Sequence, residues 1–119
     1  VPRSRKRGGV IQFSGRYRDG SAGSDDALFI EWRIREFCSL PDDRSPSGLI
    51  VDLRELHYEW GDDLHVSSFT LEREIPLRVL LTPSQIKAYQ PVVYAHEVRT
   101  DPVQAWQEVN AAILSPREA

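Results

Sequence analysis

The run Leu49-Ile50-Val51-Asp52-Leu53 constrains this chain more than any other feature. It is short, β-branched and almost continuously apolar. Residues 41–48, with two prolines and a glycine, separate it from what precedes. A strand with one solvated face alternates apolar and polar residues, whereas a strand buried on both faces does not. The run therefore predicts a central strand of a parallel sheet covered by helices. Asp52 is the exception and is expected at the strand's C-terminal end.

The flanking segments alternate in kind. Val10-Ile11-Gln12-Phe13 reads as a first strand, which Arg16-Tyr17-Arg18 extends or follows as a hairpin partner. Residues 19–26, rich in Gly, Ser and Asp, read as a loop. Ala27, Ile30, Ile34 and Phe37 then recur at helical spacing. Ser24 or Asp25 is the expected cap of that helix, and Glu31 with Arg35 an expected ion pair on it. Leu64, Ser68 and Leu71, with Phe69 beside them, predict a modest helix starting near Asp62. Residues 76–81 read as a strand opened by Pro76.

Thr82-Pro83-Ser84-Gln85 carries a capping box with proline at the first helical position, and Pro91 limits that helix to a couple of turns. Val92-Val93-Tyr94-Ala95 reads as the next strand. Asp101-Pro102 starts a last helix with Val103, Trp106, Val109 or Asn110, and Ile113 on its apolar face. This order predicts one α/β domain over residues 10–119. It would hold a mostly parallel or mixed sheet of four to five strands and about four helices.

Charge narrows the function. Arg3, Arg5, Lys6 and Arg7 put four cations on residues 1–9, while the whole chain carries −3, so the remainder carries −7. Such a body repels phosphate backbones. Aromatic residues do alternate with cations at Phe13, Arg16, Tyr17 and Arg18, and at Trp32, Arg33 and Arg35, as in single-strand stacking surfaces. The acidic body outweighs that pattern, and nucleic acid is not the expected partner. Residues 1–9 are expected to be a basic disordered tail or a tag remnant, since the chain begins at Val1 and contains no Met. No apolar run reaches the ~18 residues of a membrane span. The lone Cys38 excludes an internal disulfide and fits a reducing compartment, so a cytoplasmic location is expected. The composition allows an oligomer.

Gly48-Leu49-Ile50-Val51-Asp52-Leu53-Arg54-Glu55-Leu56, together with the element order, resembles the STAS domain, named after sulphate transporters and anti-sigma-factor antagonists. The resemblance implies a small regulatory module that binds another protein. In phosphorylatable STAS domains the loop after this strand holds an acidic residue, then Ser or Thr, then Gly. Here the stretch is Glu59-Trp60-Gly61-Asp62-Asp63, without a hydroxyl, so phosphoregulation at this loop is not implied. Asp62 reads as a capping acid or as a fixed charge in place of a phosphate. Residues 49–54 are also similar to strands of the crotonase and tail-specific protease families. Those enzymes need paired amides from Gly-rich turns, and no Gly-Gly follows here.

Catalytic constellations are weak. His57, Glu59, Asp62, Asp63 and His65 are metal-ligand types within nine residues, but their spacing matches neither zinc nor EF-hand sites. An acidic solvated loop is the simpler reading, and a small or degenerate enzyme using that loop is the alternative. Cys38 with His57 or His96 would make a nucleophile and base, but Cys38 lies near an apolar helix face, where cysteine is filler. No glycine pattern matches a phosphate loop, so no catalytic residue, cofactor or metal is assigned. Strand ends in such sheets carry the binding sites. Tyr58, Glu59, Trp60, Asp62 and Asp63 are therefore the expected partner-binding residues, with Trp60 as anchor. Trp106 is expected in the core; Trp32 reads equally as a buried or an exposed residue.

Overall fold

A computed structural model of the protein describes residues 7–16, 20–41, 44–57 and 64–114. The elements are β1 (Gly8–Arg16), α1 (Gly20–Cys38), β2 (Gly48–His57), α2 (Ser68–Glu72), β3 (Leu77–Leu80), α3 (Ile86–Tyr89), β4 (Val98–Arg99) and α4 (Pro102–Leu114). The four strands form one sheet in the order β1-β2-β3-β4, and every pairing is parallel. The chain is thus α/β, as the alternation of elements predicts.

Sequential parallel strands joined by right-handed crossovers place every connecting helix on one face. That face holds the larger core. Ala27, Ile30 and Ile34 of α1 meet Leu49, Val51 and Leu53 of β2, with Val79 of β3 and Tyr89 of α3. The opposite face is covered by α4, whose Ala105, Val109 and Ile113 pack on Ile50 and Leu80. Burial of β2 on both faces explains its unbroken apolar run.

Local sequence explains several boundaries. Asp101 caps α4, its Oδ1 accepting the Val103 amide at 2.9 Å. Thr82 opens a 3-10 turn, Pro83–Gln85, that leads into α3, and its amide donates to Gln85 Oε1 at 2.7 Å. The end of α2 is closed by Glu74 at φ 56°. The Ile75 amide reaches back to the Thr70 carbonyl (2.8 Å) and the Glu74 amide to Leu71 (3.2 Å). These are the two bonds of a Schellman closure, here built without the usual glycine.

Several expectations are corrected. β1 starts at Gly8, so Gly8 and Gly9 belong to the sheet rather than to a tail. Here small size is required: a Cβ on Gly9 would lie 2.7 Å from the Phe37 ring. The region expected as a loop at 19–26 is helical from Gly20, and Ser24 and Asp25 lie inside α1 instead of capping it. Gly and Ser each disfavour helix by no more than about 1 kcal/mol, which propagation from a docked helix overcomes. Glu31 and Arg35 also find other partners. Glu31 Oε2 accepts the His65 amide at 2.9 Å, and the Arg35 guanidinium lies over the Phe69 ring. α2 begins at Ser68, with Leu64 ahead of it in non-helical backbone.

Residues 92–95 are not a strand. The Val92 and Val93 amides both bond the Tyr89 carbonyl, closing α3, and the fourth strand comes later at Val98–Arg99. Trp106 is 40% exposed, its ring resting over Gly8. The buried stripe of α4 runs instead through Ala105, because close approach of the helix to the sheet selects a small residue.

Candidate functional site

Two features shape the carboxyl end of the sheet. First, β2 outruns β3. Its pairing with β3 ends at Asp52 opposite Leu80, yet β2 continues to His57. Carbonyls beyond that point lack a strand partner on the β3 side and must bond elsewhere. Gln85 and Tyr89 supply the donors. Gln85 Nε2 donates to the Leu53 carbonyl at 2.9 Å and lies 3.2 Å from that of Leu56. The Tyr89 hydroxyl donates to Leu56 at 2.9 Å. Secondly, Leu53 and Arg54 together oppose Phe13, an irregularity between the pairs Gln12–Asp52 and Ser14–Glu55. The extra residue breaks the two-residue alternation, so Leu53 and Leu56 both reach the same core.

Asp52 is therefore not at the end of its strand but within it, buried on the α4 side at 5% exposure. Arg54, two residues on, neutralises it with Nε at 3.0 Å from Oδ1 and a second nitrogen at 2.9 Å from Oδ2. Burial by itself would raise the Asp52 carboxyl. The hydrogen bonds and charge of Arg54 outweigh it and hold the group below its ordinary value. Glu108 on α4 similarly accepts Arg78 Nε at 2.7 Å and Arg99 Nε at 2.8 Å. Its pKa is lowered, first by the Arg78 bond. Both carboxylates are engaged by cations in fixed geometry.

The expected partner-binding residues Tyr58, Glu59, Trp60, Asp62 and Asp63 lie outside the described residues. The two ends of their segment are described. His57 ends β2 in register with Arg16. On the return, Leu64 is fully buried and the His65 amide is bonded to Glu31. The segment is thus tied at one end to the sheet and at the other to the side of α1.

That helix carries a feature that sequence periodicity obscured. Besides its buried stripe, α1 exposes Leu28 (65%), Phe29 (59%) and Trp32 (57%) at i, i+1 and i+4. Large apolar residues clustered on an exposed helix face mark an interaction surface. Asp25, Glu31 and Arg35 border the three. Phe29 also lines a cavity of about 180 Å³ with Phe13, Arg16 and Asp26 at the carboxyl end of β1. Phe29 thus borders both the exposed stripe and this cavity. The scan for a core stripe fixes on Ala27, Ile30 and Ile34 and discards the residues between them, and the run Ala27-Leu28-Phe29-Ile30, apolar all round, was the overlooked signal.

Catalytic groups fare less well. Cys38 is half-buried against the core, and burial pushes its thiol up to about 11, so it is not a thiolate at neutral pH. Among the described residues no three His, Cys, Asp or Glu side chains are grouped to hold a metal ion. Glu59, Asp62 and Asp63 of the acidic cluster lie outside them. Ser67 Oγ donates to Glu97 Oε1 at 2.6 Å, a buried pair that joins α2 to the turn before β4.

No family model, characterised protein or solved structure matches the chain. No described helix is long and apolar enough to cross a membrane.

Proposed function

We propose that this chain is a small regulatory module that binds another protein through the outer face of α1 and the adjoining loop after β2. The observation that carries this reading is the exposure of Leu28, Phe29 and Trp32 together on a helix whose other side is docked. Leaving that area in water forfeits roughly 25 cal/mol per Å² that a partner's apolar surface would recover. Trp32 is the natural anchor, because tryptophan dominates interface hot spots. Asp25, Glu31 and Arg35 would act as a polar rim governing encounter and orientation. The order of elements and the apolar central strand that carries Asp52-Leu53 support a STAS-like module. The missing hydroxyl in residues 59–63 speaks for binding that is not switched by phosphorylation there. The single cysteine, Cys38, fits work in the reducing cytoplasm.

Photo-crosslinking from position 28 in the source cell would trap the partner for identification. Affinity for the purified partner would then be compared between wild type, Trp32→Ser and the double variant Trp60→Ala, Asp62→Arg. A loss of about tenfold or more in both variants, each still folded, supports the composite surface. Equal affinity in all three rejects it. Bound divalent metal in the purified protein would instead favour the enzyme alternative at His57–His65.

A further inference from the structure

We propose that the outer edge of β1 takes up an extended, acidic segment of a partner protein by strand addition. β1 is the first strand of the sheet, and among the described residues only β2 pairs with it. Its ladder to β2 runs unbroken from Gly8 to Gln12, so the straight part of the strand offers a regular row of outward amides and carbonyls. Sheets usually blunt such an edge with proline, with inward-pointing charge, or by covering it. Gly8 to Gly15 contains no Pro, Lys, Asp or Glu. The Trp106 ring of α4 lies over Gly8, and Val10 is 53% exposed.

Charge selects the occupant. Arg7 and Arg16 stand exposed at the two ends of β1 with no acidic residue between them, within a protein whose net charge is −3. A second copy pairing antiparallel across this edge would set Arg16 against the partner's basic N-terminal end, a like-charge contact that disfavours self-association there. An acidic strand meets cations at both ends instead. Its backbone would bond the edge, and its side chains on the α4 face would meet the exposed Val10. The straight part of this edge, Gly8 to Gln12, shares no residue with the Leu28–Trp32 surface of α1, so either site can fail alone.

The test uses a fluorescein-labelled peptide of alternating valine and glutamate, about eight residues long, with a valine–lysine peptide and a single-stranded oligonucleotide as comparisons. The acidic peptide is expected to bind and to slow amide exchange of residues 8–16 about tenfold or more, with α1 amides unchanged. Arg16→Glu, at an exposed position, should weaken binding roughly fivefold, and Trp32→Ser should not. Binding that leaves β1 exchange unaltered would overturn the proposal. So would equal binding of the lysine peptide, or protection of β1 by the oligonucleotide alone, which would assign the edge to nucleic acid.

Discussion

The Tyr89 hydroxyl, on a fully buried side chain of α3, donates to the Leu56 carbonyl at 2.9 Å across a sequence separation of 33 residues. It joins Gln85, one helical turn earlier, in satisfying the end of β2 on the side where β3 no longer lies beside it. Tyr89→Phe keeps the ring and removes the donor. The variant should lose about 0.5–1.5 kcal/mol, the usual net worth of one hydrogen bond, because Gln85 still donates to Leu56. Thermal unfolding should show a midpoint lower by several degrees. An unchanged midpoint would mean that Gln85 or water satisfies Leu56 without the phenol.

Helix α4 approaches the sheet over Gly48. A Cβ there would sit 2.6 Å from Val109 Cγ1 and 2.9 Å from Ile113 Cδ1. Gly48→Ala should therefore destabilise by roughly 1–3 kcal/mol through overpacking. Adding Val109→Ala should recover part of the loss. Chemical denaturation of the two single variants and the double variant measures the coupling, and strict additivity would show that the helix shifts freely instead.

Asp52 supplies a pH signature. Its carboxyl is held low in the folded state, so its contribution to stability is fully present above the unfolded value of about 3.9. That contribution is lost as the pH falls through the lower, folded value. Asp52→Asn should flatten the acid limb of the stability profile below about pH 4 relative to wild type. Urea unfolding at pH 3 and pH 6 separates the cases, and parallel profiles would count against an Asp52–Arg54 pair of this strength.

Cys38 should be slow to modify. With its thiol pushed up to about 11, the thiolate is scarce at pH 8, and contact with the core restricts access further. A disulfide reagent at pH 8 should label the native protein far more slowly than the urea-unfolded chain. Equal rates would return Cys38 to consideration as a nucleophile.

Much of the architecture was legible in the residues alone. The parallel sheet follows from Leu49-Ile50-Val51, the α1 core from Ala27, Ile30 and Ile34, and the starts at Thr82-Pro83 and Asp101-Pro102 from capping chemistry. These signals are local: a period or a cap acts within a few residues of itself. The misread segments were decided at longer range. Val92 and Val93 have strand-forming side chains, but their amides are taken by Tyr89. Trp106 outranks Ala105 in apolar area, yet Ala105 is the one fully buried, while the indole stays 40% exposed over Gly8 at the margin of the sheet. Glu74 adopts a glycine-like conformation because the Ile75 and Glu74 amides must close α2.

The candidate surface divides in the same way. Periodicity by itself determined which side of α1 is buried, because burial of one apolar stripe is the main force that holds a helix to a sheet. Only the tertiary structure decided that Leu28, Phe29 and Trp32 stay in solvent, since that depends on which elements arrive to cover them. It also decided that, among the described residues, β1 ends the sheet with only β2 beside it. A strand's sequence specifies its two faces through alternation, but its two edges are chemically identical backbone. Which edge finds a neighbour is therefore a property of the assembled sheet.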